Sequence, residues 1–148
     1  MNTPICYYKN KKVTNVILKY DEIYIFFQDI KKRSLNLTAV GDCCSESWFE
    51  PYGSEFTTLI GNTIVDVVKD SDIEMEPSGR QECDQNTIYK IKLGNGDEFL
   101  FLLRNSSNGY YNGWLEIDEV AISKYKILLK NQNGDSMHSL EVELPNLP

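Results

Sequence analysis

The stretch Tyr89-Lys90-Ile91-Lys92-Leu93, followed by Asn95-Gly96-Asp97 and then Phe99 to Leu103, constrains this chain more than any other. Two runs rich in apolar and aromatic residues flank an Asn-Gly pair. Asn-Gly supplies the positive φ that tight primed turns require, so the stretch is expected to be a β-hairpin. The remainder reads in the same way, as short apolar and β-branched runs separated by Gly, Asn and Asp. The predicted strands are 13–20, 22–28, 34–40, 63–69, 87–93, 97–104, 114–118, 122–130 and 138–144. In the last of them Leu140, Val142 and Leu144 alternate with Glu141 and Glu143, placing one side on a core and the other in water. Asp21-Glu22 is expected to turn the first hairpin, and Asn133-Gly134 to separate the last two strands.

A short helix is predicted over 54–60, with Ser54 as N-cap after Gly53 and with Phe56, Leu59 and Ile60 at helical spacing. Gly61-Asn62 would stop it. Residues 70–86 hold Pro77, Gly79 and the six acidic groups Asp70, Asp72, Glu74, Glu76, Glu82 and Asp84, and read as a mobile excursion. The expected fold class is mainly β, bordering on α+β: one antiparallel domain over residues 1–148, either a sandwich or an open barrel. With 148 residues, 41% of them hydrophobic, such a chain can bury its own core without staples.

A formal net charge of −7 and a pI near 4.7 make the chain repel phosphate backbones, so no nucleic-acid partner is expected. Lys9 to Lys12 and Lys31-Lys32-Arg33 are basic against the acidic 70–84 stretch. Solvated turns account for both; a basic patch for a partner and an acidic nucleic-acid mimic are the other readings. No apolar run approaches the roughly 18–20 residues of a membrane helix. Apolar Ile5 to Tyr8 precede basic Lys9, Lys11 and Lys12, the reverse of a secretory signal. An intracellular location is therefore expected, in the cytoplasm, including that of an infected host cell, or in a virion.

Two clusters mix turn formers with large aromatics: Gly41-Asp42-Cys43-Cys44-Ser45-Glu46-Ser47-Trp48-Phe49-Glu50, and Asn105 to Trp114. Asn, Ser and Gly bend the backbone while Trp, Tyr and Phe seek packing, so both are expected to fold back onto the body as shaped loops. If they meet, Trp48, Arg104, Asn108, Tyr110, Tyr111, Asn112 and Trp114 would make a binding surface. The plainer reading puts Trp48 and Trp114 in a core plug at the end of a sheet.

The strings Gly41-Asp42-Cys43-Cys44-Ser45-x-Ser47-Trp48-Phe49, Leu59-Ile60-Gly61-x-Thr63-Ile64-x-Asp66-Val67 and Ser107-Asn108-Gly109-Tyr110-Tyr111-x-Gly113 together resemble an uncharacterised family of small proteins of phages, bacteria and large DNA viruses. The resemblance covers about residues 13–118, leaving the C-terminal strands at about 122–144 outside it. It implies no activity, cofactor or catalytic residue, and favours a viral or mobile-element accessory role.

Adjacent thiols in a strand point to opposite faces, so Cys43 and Cys44 are not expected to share a metal or to pair; Cys43 would face inward and Cys44 outward. No Cys-x-x-Cys spacing exists, and a zinc site would have to be assembled from Cys6, Cys43, Cys44, Cys83 and His138. A nucleophilic thiol needs a base, and His138 is the one histidine; Cys44, His138 and an orienting Asp42 form the sharpest enzyme hypothesis. Phosphate-loop and EF-hand patterns are missing. Glu46 and Glu50 beside Trp48 also fit a sugar-binding or hydrolytic cleft. The expectation is a non-enzymatic interaction module without a cofactor, engaging a protein partner, with its oligomeric state open. The alternative is a cysteine-dependent enzyme or metal-binding protein centred on Asp42, Cys43, Cys44 and His138.

Overall fold

Inward and outward residues alternate along the strands, and that alternation decides how they stack. A computed structural model describes residues 4–30, 33–109, 112–121, 126–130 and 136–141, the last two segments by their backbone alone. It contains β1 (Val13–Leu18), β2 (Glu22–Phe27), β3 (Arg33–Gly41), β4 (Glu46–Pro51), β5 (Ile64–Asp72), β6 (Cys83–Leu93), β7 (Glu98–Ser107), β8 (Gly113–Ala121), β9 (Lys126–Lys130) and β10 (Ser136–Glu141). One four-stranded sheet has the order β1-β2-β3-β8 and a second β4-β7-β6-β5, while β9 and β10 pair with each other. All pairs are antiparallel. The mainly β expectation holds, with two four-stranded sheets and no closed barrel among the described residues.

Leu35, Leu37 and Ala39 of the first sheet share one buried cluster with Phe49, Ile91, Phe99, Phe101 and Leu103 of the second. The inner faces therefore pack on one another, as in a sandwich. Phe101 is at the centre: its ring lies 5.7 Å from Phe49, 5.7 Å from Phe56 and 5.8 Å from Tyr89. Tyr8 enters from a 3-10 turn at Pro4–Tyr8 and stacks on Phe27 at 4.3 Å.

Several local expectations are corrected. The predicted helix is a single 3-10 turn, Phe56–Leu59. Its N-cap position is Glu55 and not Ser54, and no side chain caps it. Phe56 and Leu59 are buried, but Ile60 lies exposed beyond the turn. Gly61, at φ +88°, ends it. The β6–β7 hairpin forms where the Asn-Gly pair stands, yet of its turn residues only Gly96 takes positive φ. Leu93 accepts from the Gly96 N–H at 3.0 Å and donates to the Asp97 carbonyl at 2.9 Å. This is the longer turn that closes on one left-handed residue, not the two-residue primed turn.

Residues Glu46–Pro51, read as loop, are the edge strand β4. The 70–86 excursion is also smaller than expected, because β5 runs to Asp72 and β6 begins at Cys83. β5 is the other edge of its sheet, and its pairing with β6 shifts register twice, between Ile64 and Asp66 and between Lys69 and Ser71. Of the C-terminal strand prediction, Val142 and Leu144 lie outside the described residues.

Truncating Phe101 to Ala removes a fully buried ring that packs on Phe49, Phe56 and Tyr89 within the shared core. The expected loss is about 3–5 kcal/mol, read as a lower urea midpoint. Val65→Ala, at an exposed position, should stay within about 0.5 kcal/mol of the parent.

Candidate functional site

The two aromatic loops meet. The chain passes from the first sheet to the second between β3 and β4, and back from the second to the first between β7 and β8, at the same end of the sandwich. The Asp42 N–H donates to the Asn112 carbonyl at 3.0 Å, and the Asn112 N–H donates to Asp42 Oδ2 at 3.2 Å. Below this clasp the interior becomes polar. Asn105 Nδ2 donates to Ser47 Oγ at 2.9 Å and to Ser45 Oγ at 3.1 Å, and Ser47 Oγ donates to the Val40 carbonyl at 2.9 Å. Gly41 and Gly113 face each other across β3 and β8. A Cβ on Gly113 would sit 2.5 Å from Ser47 Oγ and 2.8 Å from Asn105 Cβ, and one on Gly41 would sit 2.6 Å from Ser45 Oγ. A side chain at either position would displace the serine and asparagine groups packed against it.

Trp48 and Trp114 point away from this interior in different directions. Phe49 is in the shared core, so its neighbour Trp48 lies on the outer face of the second sheet. Leu115 packs on the core, so Trp114 lies on the outer face of the first. Trp48 is 3% exposed and Trp114 39%. The core-plug reading therefore fails in its details: Trp48 is buried outside the main core, and Trp114 is open to solvent, its Nε1 donating to Glu116 at 3.3 Å. Asn108 and Asn112 are exposed between the strands. Tyr110 and Tyr111 lie outside the described residues, as does the His138 side chain.

Residues 73–82 cover Trp48, and far from straying they form a strap across that face. Arg104, the cross-strand partner of Trp48, donates from Nε to Asn86 Oδ1 at 2.9 Å, and through its other guanidinium nitrogens to the Glu76 carbonyl at 3.0 Å and Glu50 at 3.3 Å. Glu50 also accepts from Trp48 Nε1 at 2.8 Å. The Arg80 guanidinium lies 4.0 Å from the Trp48 ring, pairs with Glu46 at 2.8 Å and donates to the Tyr20 hydroxyl. Tyr20 stacks near-parallel to Trp48 at 6.0 Å. Burial, then the hydrogen bond to Glu46, pushes the Tyr20 hydroxyl pKa up. Sequence reasoning missed Tyr20, Arg80, Asn86 and Asp84 here. The spacing Glu46-x-Trp48-x-Glu50 does place both carboxylates on the ring's own face, and each is committed to an arginine.

Asp84 anchors the strap, accepting from the Ser78 hydroxyl at 2.8 Å and the Ser78 N–H at 2.5 Å. Burial by itself would raise its pKa. The hydrogen bonds from Ser78 and Ser106 and the charge of Arg104 outweigh burial and hold the carboxyl below its ordinary value.

Cys43 and Cys44 occupy the turn between β3 and β4 rather than a strand, and the expected inward and outward split is not found. Both are exposed, with their sulfurs 3.3 Å apart. The Cys43 thiol is pushed up, first by its hydrogen bond to Cys44 and then by the negative charge that Cys44 and Asp42 bring. Among the described residues no group of three or more His, Cys, Asp or Glu is placed to hold a metal ion. A separate cavity of about 630 Å³ lies between the first 3-10 turn and β5, lined by residues that include Ile5, Lys9, Val65 and Asp66.

These features define a two-sheet β domain with interlocked crossing loops, and the family described as Domain of unknown function (DUF7448) matches residues 7–117. The chain belongs to that family. The matched segment takes in nearly all of both four-stranded sheets and stops before β9. The chain is also 43% identical over 100 residues to "Uncharacterized protein L278" of Acanthamoeba polyphaga mimivirus, covering 67% of this chain and 79% of the relative. No solved structure matches. No described helix is long and apolar enough to cross a membrane.

Gly113→Ala should destabilise the fold by about 1–3 kcal/mol through overpacking at the crossing, measured by urea unfolding. A second expectation concerns acid. Because the folded-state pKa of Asp84 is depressed, its contribution is complete above the unfolded value of about 4 and fades as pH falls through the lower folded value. Urea midpoints recorded from neutral pH into acid should fall less steeply for Asp84→Asn than for the parent.

Proposed function

We propose that the chain is a single-domain, non-enzymatic interaction module, a viral or phage accessory protein that engages a protein partner through the rim of its crossing loops. The observation that carries this reading is the clasp between Asp42 and Asn112, which fixes both loops with Trp114 exposed beside them. A large amphipathic ring held on a rigid element is the kind of anchor that supplies most of the binding energy at protein interfaces. Asn108 and Asn112 flank it with polar groups, and Tyr110 and Tyr111 lie between them in sequence. Trp48 and Arg104, first counted with this surface, lie instead on the outer face of the second sheet, where Arg104 ties the strap and β4 together. The similarity to a mimivirus protein supports the viral setting, and the three strings around Cys43, Thr63 and Tyr110 are proposed as the signature of the family. The acidic balance favours a partner with a neutral or basic face, met in the cytoplasm of an infected cell or in a virion.

The cysteine-centred alternative needs an activated thiolate with Asp42 turned toward a histidine. Asp42 Oδ2, which that alternative assigns to orienting a histidine beside Cys44, is instead engaged by the Asn112 N–H. The interaction reading is the better supported.

Immobilised protein should retain a specific partner from infected-cell extract. Trp114→Ala should weaken that partner by tenfold or more, corresponding to at least about 1.4 kcal/mol, whereas Val65→Ala, on a remote edge, leaves it unchanged. Equal retention by both variants would sink the proposed surface.

A further inference from the structure

We propose that Cys43 and Cys44 form a solvent-accessible vicinal dithiol that chelates a soft, thiophilic centre with two adjacent bonding positions, of which trivalent arsenic is the type. Both thiols are exposed, and their sulfurs are 3.3 Å apart. With metal–sulfur bonds of about 2.3 Å, two sulfurs at that separation can bond one atom without moving.

The backbone creates the pair. The Ser45 N–H donates to the Asp42 carbonyl at 2.9 Å, closing a four-residue turn with Cys43 and Cys44 at its centre. Cys44 takes φ +69° there. This position normally belongs to Gly or Asn, and a Cβ costs free energy in it. The left-handed residue swings its side chain to the same side as that of Cys43, which extended backbone would prevent. Ser45 Oγ donates to the Asp42 carbonyl at 2.8 Å and Gln81 Nε2 donates to the Cys44 carbonyl at 2.9 Å, so the turn is held from within and from the strap. The site is thus preorganised, and closing a ring on it orders little further chain.

The chemistry requires no oxidant. Phenylarsine oxide condenses with two thiols: two As–S bonds form, the arsenic–oxygen bond breaks, and both thiol protons leave in one water. Arsenic stays trivalent and no disulfide is made. Cys83 is exposed too, but it stands alone on β6 and can offer only one bond.

The test treats the full-length native protein with one equivalent of phenylarsine oxide and reads intact mass and peptide maps. The expected result is one phenylarsenic group per chain on the peptide carrying Cys43 and Cys44, released by an excess of a small dithiol and retained in the same excess of a monothiol. Cys83→Ser should behave as the parent. Cys43→Ser and Cys44→Gly should each lose the dithiol-specific adduct, and Cys44→Gly should fold at least as stably because glycine suits the turn. The proposal is overturned if the native chain takes no adduct, if either single variant keeps it, if the group maps to another cysteine, or if a monothiol removes it. The partner-capture experiment reads Trp114 and is independent of this result.

Discussion

The structure depends on how closely the two sheets approach where the chain crosses between them. Two crossings at one end bring β3, β4, β7 and β8 together, and two glycines facing each other leave room for Ser47 and Asn105 of the opposite sheet. The hydrophobic core centred on Phe101 supplies the driving force, but apolar packing has no direction of its own. Register comes from the polar end, where each donor has a defined acceptor and a slip of one residue would bury side chains against a glycine-sized gap. The clasp of Asp42 on Asn112 then extends that order to the loops.

The outer face of the second sheet is organised on another principle. Trp48 is too large to leave open and lies on the side away from the core, so the chain covers it with its own acidic strap. Two guanidinium groups make this work. Arg104, 8% exposed, pairs with Glu50 and Asp84 and donates to the carbonyl oxygens of Asn86 and Glu76, while Arg80 covers the ring and pairs with Glu46. A buried arginine left without these partners would be costly. The excess of carboxylates between Asp70 and Asp84 is thus in part structural: some of those charges pair with cations of the sheet beneath.

The β-rich fold was legible because alternation and turn chemistry are local signals, and the Asn95-Gly96 hairpin stands where it was read. The turn before Glu46 was legible for the same reason, whereas Trp48, Phe49 and Trp114 of the two clusters lie in β4 and β8. β4 was not legible, since its six residues include a serine, two glutamates and a proline, and its strand character comes from pairing with β7. The Trp48 environment was illegible because Arg80 and Tyr20 are distant in sequence and Arg104 becomes its neighbour only through register. Cys43 and Cys44 were misread because period-two geometry was applied to a turn. One residue with φ +69° reverses that conclusion.

The interrupted edge of the second sheet has a consequence for crowding. β5 presents Asp66, Lys69, Asp70 and Asp72 on a strand whose ladder is twice out of step. A neighbouring copy sliding alongside would find neither an unbroken row of amides nor an uncharged margin to lie on. Along this border, then, the molecule resists being extended into a continuous fibre even when many copies accumulate in one place.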